Sequence, residues 1–346
     1  MDEKNRLRKA IVNRKQMDAD NRHFKYDETV VDSWKNEFNY TNQDIKLVRW
    51  AQDKLGAISD CYLMYPVAMM GICDLNTACL FLKVMRDNAV GGQLMDVDNT
   101  SAVKSRMRSL VGNGFLFRNR YSVFSENTKG EVVLNDVTLF SMEKEAQTFM
   151  NRKLAKRTVL AEWIQVRPMF ELIGWAAANY CMVKTALESD FEEFKQGIFS
   201  TKVIGTVFIP SILKLRLKTG DYAGELAYVG FLSAFYHHDY KIQLRGEYEK
   251  NLQFMIETIR QYFYFRDSKN KIARIVITCE DNADLVEVTA AIHSSGLLKE
   301  DYNRIFFTGE GIMRVVNSAK DAYLCMVEDA SKKEGYSILA VEPDFL

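Results

Sequence analysis

The sequence has few of the cysteine and histidine residues that form disulfides and metal sites, and it has no long apolar run. Its six cysteines are spread over 346 residues with no C-x-x-C pair, and it contains only four histidines. Such cysteine usage is typical of a reducing interior rather than of a disulfide-stabilised secreted domain. No apolar run reaches the roughly 18 residues of a membrane-spanning helix, and no signal peptide is recognisable, so we expect a cytoplasmic protein.

Net charge is also lacking, because 46 basic residues balance 46 acidic ones. Attraction to a polyanion must therefore come from local charge separation. Residues 280–346 contain 13 acidic and 6 basic residues, net −7, which leaves +7 on residues 1–279. The length and a 47% apolar content predict a large core divided over two or three domains.

The N-terminal part is expected to begin with a basic arm at 1–42, since the first 25 residues hold eight basic and four acidic side chains. Residues 43–140 then carry helical signals that end in a hairpin. Apolar spacing predicts helices near 43–55 and 64–70, and Asp74 is placed to cap a third helix.

The most distinctive segment is "KSRMRSLVGNGFLFRNR" at 104–120, which has five basic residues and no acidic one. It begins within a helix that Thr100 or Ser101 can cap. Helical spacing directs four side chains away from an apolar stripe, namely Lys104, Ser105, Arg108 and Ser109. The stripe consists of Val103, Met107, Leu110 and Val111.

Two glycines, Gly112 and Gly114, are expected to stop this helix, and two strand-like runs joined by the turn "SENTKG" follow. Helices, a basic helix and a hairpin in this order predict a winged helix-turn-helix at 43–140. Its last helix would enter the major groove of DNA, and Arg118, Arg120 and Lys129 from the wing would contact phosphates. The alternatives are a solvated surface helix and a winged helix that binds protein.

The remaining chain is predicted to hold a helical connector at 141–200 and an α/β domain at 201–346. "KVIGTVFI", "SILKLRLK" and "AGELAYVGFLS" indicate strands separated by Pro210 and the turn "KTGD". A long helix, a strand, a helix, a strand, a helix near 313–330 and a last strand follow. This alternation predicts a mixed sheet with parallel pairs, and the whole pattern is that of a multidomain α+β and α/β protein.

The segment "MRSLVGNGFLFR" and this order of elements resemble the replication-relaxation family of plasmid and mobile-element proteins. Glu225 on a strand, followed by a helix with Lys250 and Tyr262, is similar to the acid, lysine and tyrosine of that family. The resemblance implies a winged helix joined to a restriction-endonuclease-like domain. This sequence has Pro210-Ser211 where the family carries Pro-Asp, which argues against metal-dependent cleavage.

Nuclease chemistry of that type needs carboxylates that hold Mg2+ at a phosphate and a nearby lysine. Glu225, Asp239 and Lys241 are the catalytic candidates, since residues i and i+2 of a strand share a face. The alternative interpretation is that Asp239 and Lys241 are ordinary turn and surface residues.

The function expected from the sequence is that of a DNA-binding accessory or regulatory protein from a plasmid, phage or integrative element. It would act in mobilisation by conjugation, in replication or in transcription control. The acidic C-terminal domain would bind a protein partner such as a relaxase or replication initiator, or form a homodimer. No cofactor is expected unless the alternative, a Mg2+-dependent nuclease targeted by the winged helix, holds. A winged-helix protein-interaction module is the third possibility.

Overall fold

A computed structural model describes residues 59–87, 100–112, 114–126, 132–153, 164, 169–201, 205–216, 222–231, 245–269, 272–279, 282–343 and 345. The expected arm at 1–42 and the expected helix at 43–55 lie outside these residues. The chain divides into two compact units. The described parts of the first lie within 24–123 and 134–172, and those of the second within 124–133 and 173–346.

The N-terminal elements combine helices with a small sheet. In chain order they are α1 (Ser59–Met70), β1 (Ile72–Asp74), α2 (Leu75–Asp87), α3 (Thr100–Gly112), β2 (Leu116–Glu126), β3 (Val132–Met142) and α4 (Lys144–Lys153). Strand β3 lies between β1 and β2, and it runs antiparallel to β1. The consecutive strands β2 and β3 are hydrogen-bonded neighbours, as the predicted hairpin requires, and its turn at 127–131 lies outside the described residues.

Local hydrogen bonds explain where these helices begin and end. The Asp74 carboxylate accepts a bond from the Thr77 backbone N–H at 2.7 Å, which confirms Asp74 as the cap of α2. At the end of α3 the Gly114 N–H donates to the Val111 carbonyl at 3.0 Å. Gly114 has a φ of 75°, so it supplies the left-handed residue that closes a helix.

The C-terminal elements form a larger α/β unit. In chain order they are α5 (Met169–Ala186), β4 (Phe191–Thr201), β5 (Gly205–Arg216), β6 (Tyr222–Phe231), α6 (Arg245–Asp267), β7 (Ala273–Cys279), α7 (Asn282–Ser295), β8 (Ile305–Thr308), α8 (Glu310–Val315), β9 (Leu324–Glu328) and β10 (Tyr336–Ala340). Short 3-10 segments occupy Lys299–Arg304 and Ala319–Ala322.

The seven strands β4 to β10 form one mixed sheet in which spatial order follows chain order. Strands β6, β7 and β8 are parallel neighbours, as the alternation of strand and helix predicts, and the other pairs are antiparallel. Helices α6 and α7 pack on one face of the sheet around Ile259, Ile275, Val288 and Phe307. None of the described helices is long and apolar enough to cross a membrane.

The predicted strand break at Pro210 is wrong. Strand β5 runs through Pro210, because Lys195 pairs with Ile212 while Gly197 pairs with Ile209. Pro210 and Ser211 therefore face the single residue Gln196 in a β-bulge, a position that tolerates the missing N–H of proline.

Two stretches that were expected to be helical are partly strand. The connector predicted to be helical over 141–200 ends in strand β4 from Phe191, which is held by its pairing with β5. The helix expected near 313–330 is replaced by the short helix α8, a 3-10 turn and strand β9. The Glu188 carboxylate accepts bonds from the Ser318 hydroxyl and the Ala319 N–H, which fixes a turn where the helix was expected to continue.

Helix α5 packs on the opposite face of the sheet, with backbone close to backbone. A Cβ atom added to Gly230 on β6 would overlap the Gly174 carbonyl group of α5, whereas one added to Gly174 would meet Gly230 at an ordinary 3.4 Å. The Ser211 hydroxyl donates to Asn179 of α5 at 2.5 Å. This contact requires glycine on the strand side but not on the helix side.

We therefore predict opposite outcomes for two alanine substitutions at one contact. Gly230→Ala should lower the free energy of unfolding by about 3 kcal/mol, because backbone atoms must separate to admit the methyl group. Gly174→Ala should cost little or even stabilise by up to about 1 kcal/mol through helix propensity. Urea unfolding of both variants measures this, and equal losses would contradict the asymmetry.

Candidate functional sites

Helix α3 separates an apolar side from a basic side. The four residues predicted to face the core, Val103, Met107, Leu110 and Val111, are all buried. Lys104, Ser105 and Arg108 are exposed. Residues 100–120 contain no carboxylate, so neither helix α3 nor the start of β2 places a negative charge beside these side chains.

The wing candidates are placed differently. Arg118 lies on β2 and is half-buried, so it is less accessible than the basic residues of α3. Arg120 lies on the same strand, but its side chain is outside the described part of the structure, as is Lys129. The Asn119 amide donates to the Ser141 hydroxyl at 3.3 Å, a contact that joins β2 to β3 beside these positions.

A second candidate site surrounds Glu225 on β6, whose side chain is completely buried. Lys195 of β4 forms an ion pair with the Oε1 atom of Glu225. Arg266, in the last turn of α6 and 9% exposed, places Nη2 2.5 Å from Oε2. The Tyr262 hydroxyl lies 3.5 Å from the same oxygen.

This arrangement gives the Glu225 carboxylate two cationic partners among the described residues. Both of its oxygens face cationic partners, and a metal ion would have to displace Lys195 or Arg266 to reach them. The described residues contain no group of three histidine, cysteine or acidic side chains suited to hold a metal. Asp239 and Lys241, the other catalytic candidates, lie outside the described residues.

The structure brings together only part of the set suggested by the family resemblance. Tyr262 lies beside Glu225, but Lys250 is exposed and sits 12 residues earlier on α6, a rise of about 18 Å. Sequence reasoning missed Lys195 and Arg266 as partners of Glu225. For Arg266 the i, i+4 spacing from Tyr262 was an available signal, whereas nothing local identifies Lys195.

A cluster of buried hydroxyl groups lies between α5 and the opposite face of the sheet. The Tyr228 hydroxyl donates to Thr185 at 2.8 Å and lies 3.0 Å from the Tyr323 hydroxyl. Burial raises the pKa of both tyrosines and of the neighbouring Cys181 thiol. These groups stay protonated near neutral pH, so the cluster is suited to hold α5 in place and not to supply a nucleophile.

Comparisons with protein-family models, curated proteins and solved structures give no match to the chain.

The buried ion pairs lead to a prediction of stability. Glu225→Gln should lower the free energy of unfolding by about 3 kcal/mol, because it leaves two cations at a buried amide. Glu257→Gln is the matched control, since Glu257 pairs with Arg260 on α6 at side-chain exposures of 20% and 39%. It should lose less than about 1 kcal/mol. Urea unfolding at pH 7 compares the two, and similar losses would contradict a central role for Glu225.

Proposed function

We propose that this protein is a DNA-binding accessory or regulatory protein of a plasmid, phage or integrative element, located in the cytoplasm. In this proposal the elements α1 to β3 form a winged helix that binds duplex DNA, with α3 as the recognition helix. The role would lie in mobilisation, replication or transcription control, as the family resemblance implies.

One observation carries the DNA-binding proposal. Helix α3 buries its four large apolar residues and leaves Lys104, Ser105 and Arg108 exposed with no acidic residue in the helix. A helix with this division can be held by the protein core on one side while its cations face phosphates or base edges on the other. The order helix, strand, helix, helix and hairpin, with β1 beside β3, supports the winged-helix proposal.

The negative charge at the C-terminal end of the second unit favours a partner other than DNA. Residues 280–346 carry net −7, and charge of that sign repels a phosphate backbone. We therefore propose that the C-terminal part of the chain contacts a protein, such as a relaxase or replication initiator, or a second copy of the chain. Binding of duplex DNA through α3 needs no cofactor in this proposal.

The DNA-binding proposal predicts the effect of removing the two exposed cations. Lys104→Ala combined with Arg108→Ala should weaken binding to duplex DNA at least tenfold at 0.1 M salt. The slope of log affinity against log salt should fall by about 2, because two phosphate contacts are lost. Fluorescence anisotropy over a salt series measures both quantities.

A control removes the same charge elsewhere. Lys332→Ala combined with Lys333→Ala changes two exposed lysines in the turn between β9 and β10 and should leave affinity and slope near those of the parent protein. Equal weakening by both pairs would indicate attraction by net charge alone. Unchanged affinity of the α3 variant would overturn the assignment of α3.

The nuclease alternative makes a separate prediction. Our proposal expects plasmid DNA to remain intact with the protein in Mg2+, since the carboxylate of Glu225 is occupied by Lys195 and Arg266. The nuclease hypothesis expects nicking that requires Mg2+ and is lost in Asp239→Asn. Asp239→Asn is the better test, because Glu225→Gln is expected to destabilise the fold. Gel analysis of supercoiled plasmid distinguishes the two.

A further inference from the structure

Gly112, the exposed last residue of helix α3, is a glycine that the fold does not require. A Cβ atom added to it would meet no atom of the described chain within 4 Å. Its φ is not in the left-handed region that favours glycine. Alanine stabilises a helix relative to glycine, so folding alone would favour a side chain at this position.

The end of α3 depends on a different glycine. The Gly114 N–H donates to the Val111 carbonyl. The Phe115 N–H donates to the Leu110 carbonyl, and both bonds are 3.0 Å long, which is the Schellman pattern of helix ends. That pattern requires a left-handed residue, which is Gly114 with its φ of 75°. It does not account for the glycine at position 112.

Gly112 continues the basic side of α3. Lys104, Arg108 and Gly112 are spaced i, i+4 and i+8, so they lie along one side of the helix, and all three are exposed. The exposed residues Ser101 and Ser105 beside them have short side chains. Residues 100–120 contain no carboxylate. This side of α3 therefore offers positive charge at two positions and close access to the helix backbone at a third.

We propose that one strand of duplex DNA passes in direct contact with Gly112, an inference that rests on the proposed DNA-binding function. A phosphate of that strand binds Arg108 and Lys104, and the adjoining deoxyribose lies against the glycine. Residues four apart are separated by about 6 Å along a helix, so a single nucleotide reaches both Arg108 and Gly112. The C-terminal end of a helix carries partial negative charge, which disfavours a phosphate at Gly112 and favours the uncharged sugar.

The first experiment determines whether the fold needs glycine at position 112. Gly112→Ala should melt at the temperature of the parent protein or up to about 3 °C higher, because alanine favours the helix and its methyl group has room. Calorimetry of the full chain measures this shift. A melting temperature lowered by more than about 2 °C would show that the fold requires Gly112, and it would overturn the proposal.

The second experiment measures duplex binding by fluorescence anisotropy. The probe is the tightest-bound duplex that the parent protein selects from a pool of random sequences. Gly112→Ala should weaken binding at least about fivefold and Gly112→Leu at least about 30-fold, because the added atoms push the DNA strand away from the helix. The slope of log affinity against log salt should change by less than about 0.5, since neither variant removes a cation.

Ala290→Leu is the matched control, because it adds a large side chain at an exposed position of α7 in the other unit and should bind like the parent protein. Equal weakening by Gly112→Leu and Ala290→Leu would overturn the contact at Gly112. Parent affinity in Gly112→Leu, with binding still weakened by Lys104→Ala combined with Arg108→Ala, would overturn this contact alone. No duplex binding by the parent protein would overturn the DNA-binding proposal and this contact with it.

Discussion

The burial of the Glu225 carboxylate is the constraint on which the C-terminal unit depends. An ionised carboxylate removed from water is tolerated only when opposite charge and hydrogen bonds replace its hydration. Here the replacing groups come from distant parts of the chain, Lys195 on β4 and both Tyr262 and Arg266 on α6. The ion pairs can form only when β4, β6 and α6 are in their final places. A buried charge thereby helps to specify the arrangement of three elements.

The opposite face of the same sheet is specified by close backbone packing and hydrogen bonds. Gly230 allows the backbone of α5 to approach β6, and hydroxyl and amide groups then meet across the contact. Thr185 bonds to Tyr228, and Glu188 at the end of the helix anchors Ala319. Because these polar atoms are satisfied only at one setting of α5, the helix cannot slide along the sheet without leaving buried groups unbonded.

Local sequence signals predicted the elements whose determinants are local. The spacing of apolar residues identified all four buried positions of α3, and Asp74 and Gly114 marked a helix start and a helix end correctly. The predictions of secondary structure were wrong where long-range contacts determine the element. Strand β4 has no clear alternation of polar and apolar residues and is defined by pairing with β5, while the turn before β9 is held by Glu188 at a separation of about 130 residues.

The candidate sites also differ in whether local or long-range contacts determine them. The exposed cations of α3 were predictable because helical periodicity alone separates Lys104 and Arg108 from the core. The surroundings of Glu225 were not, since spacing along the chain does not reveal that Lys195 lies across two strand pairings from it. A carboxylate that is a catalytic candidate in the sequence can have cationic partners that only the fold brings to it. The fold determines which charges surround Glu225, and the charges of its partners Lys195 and Arg266 are positive.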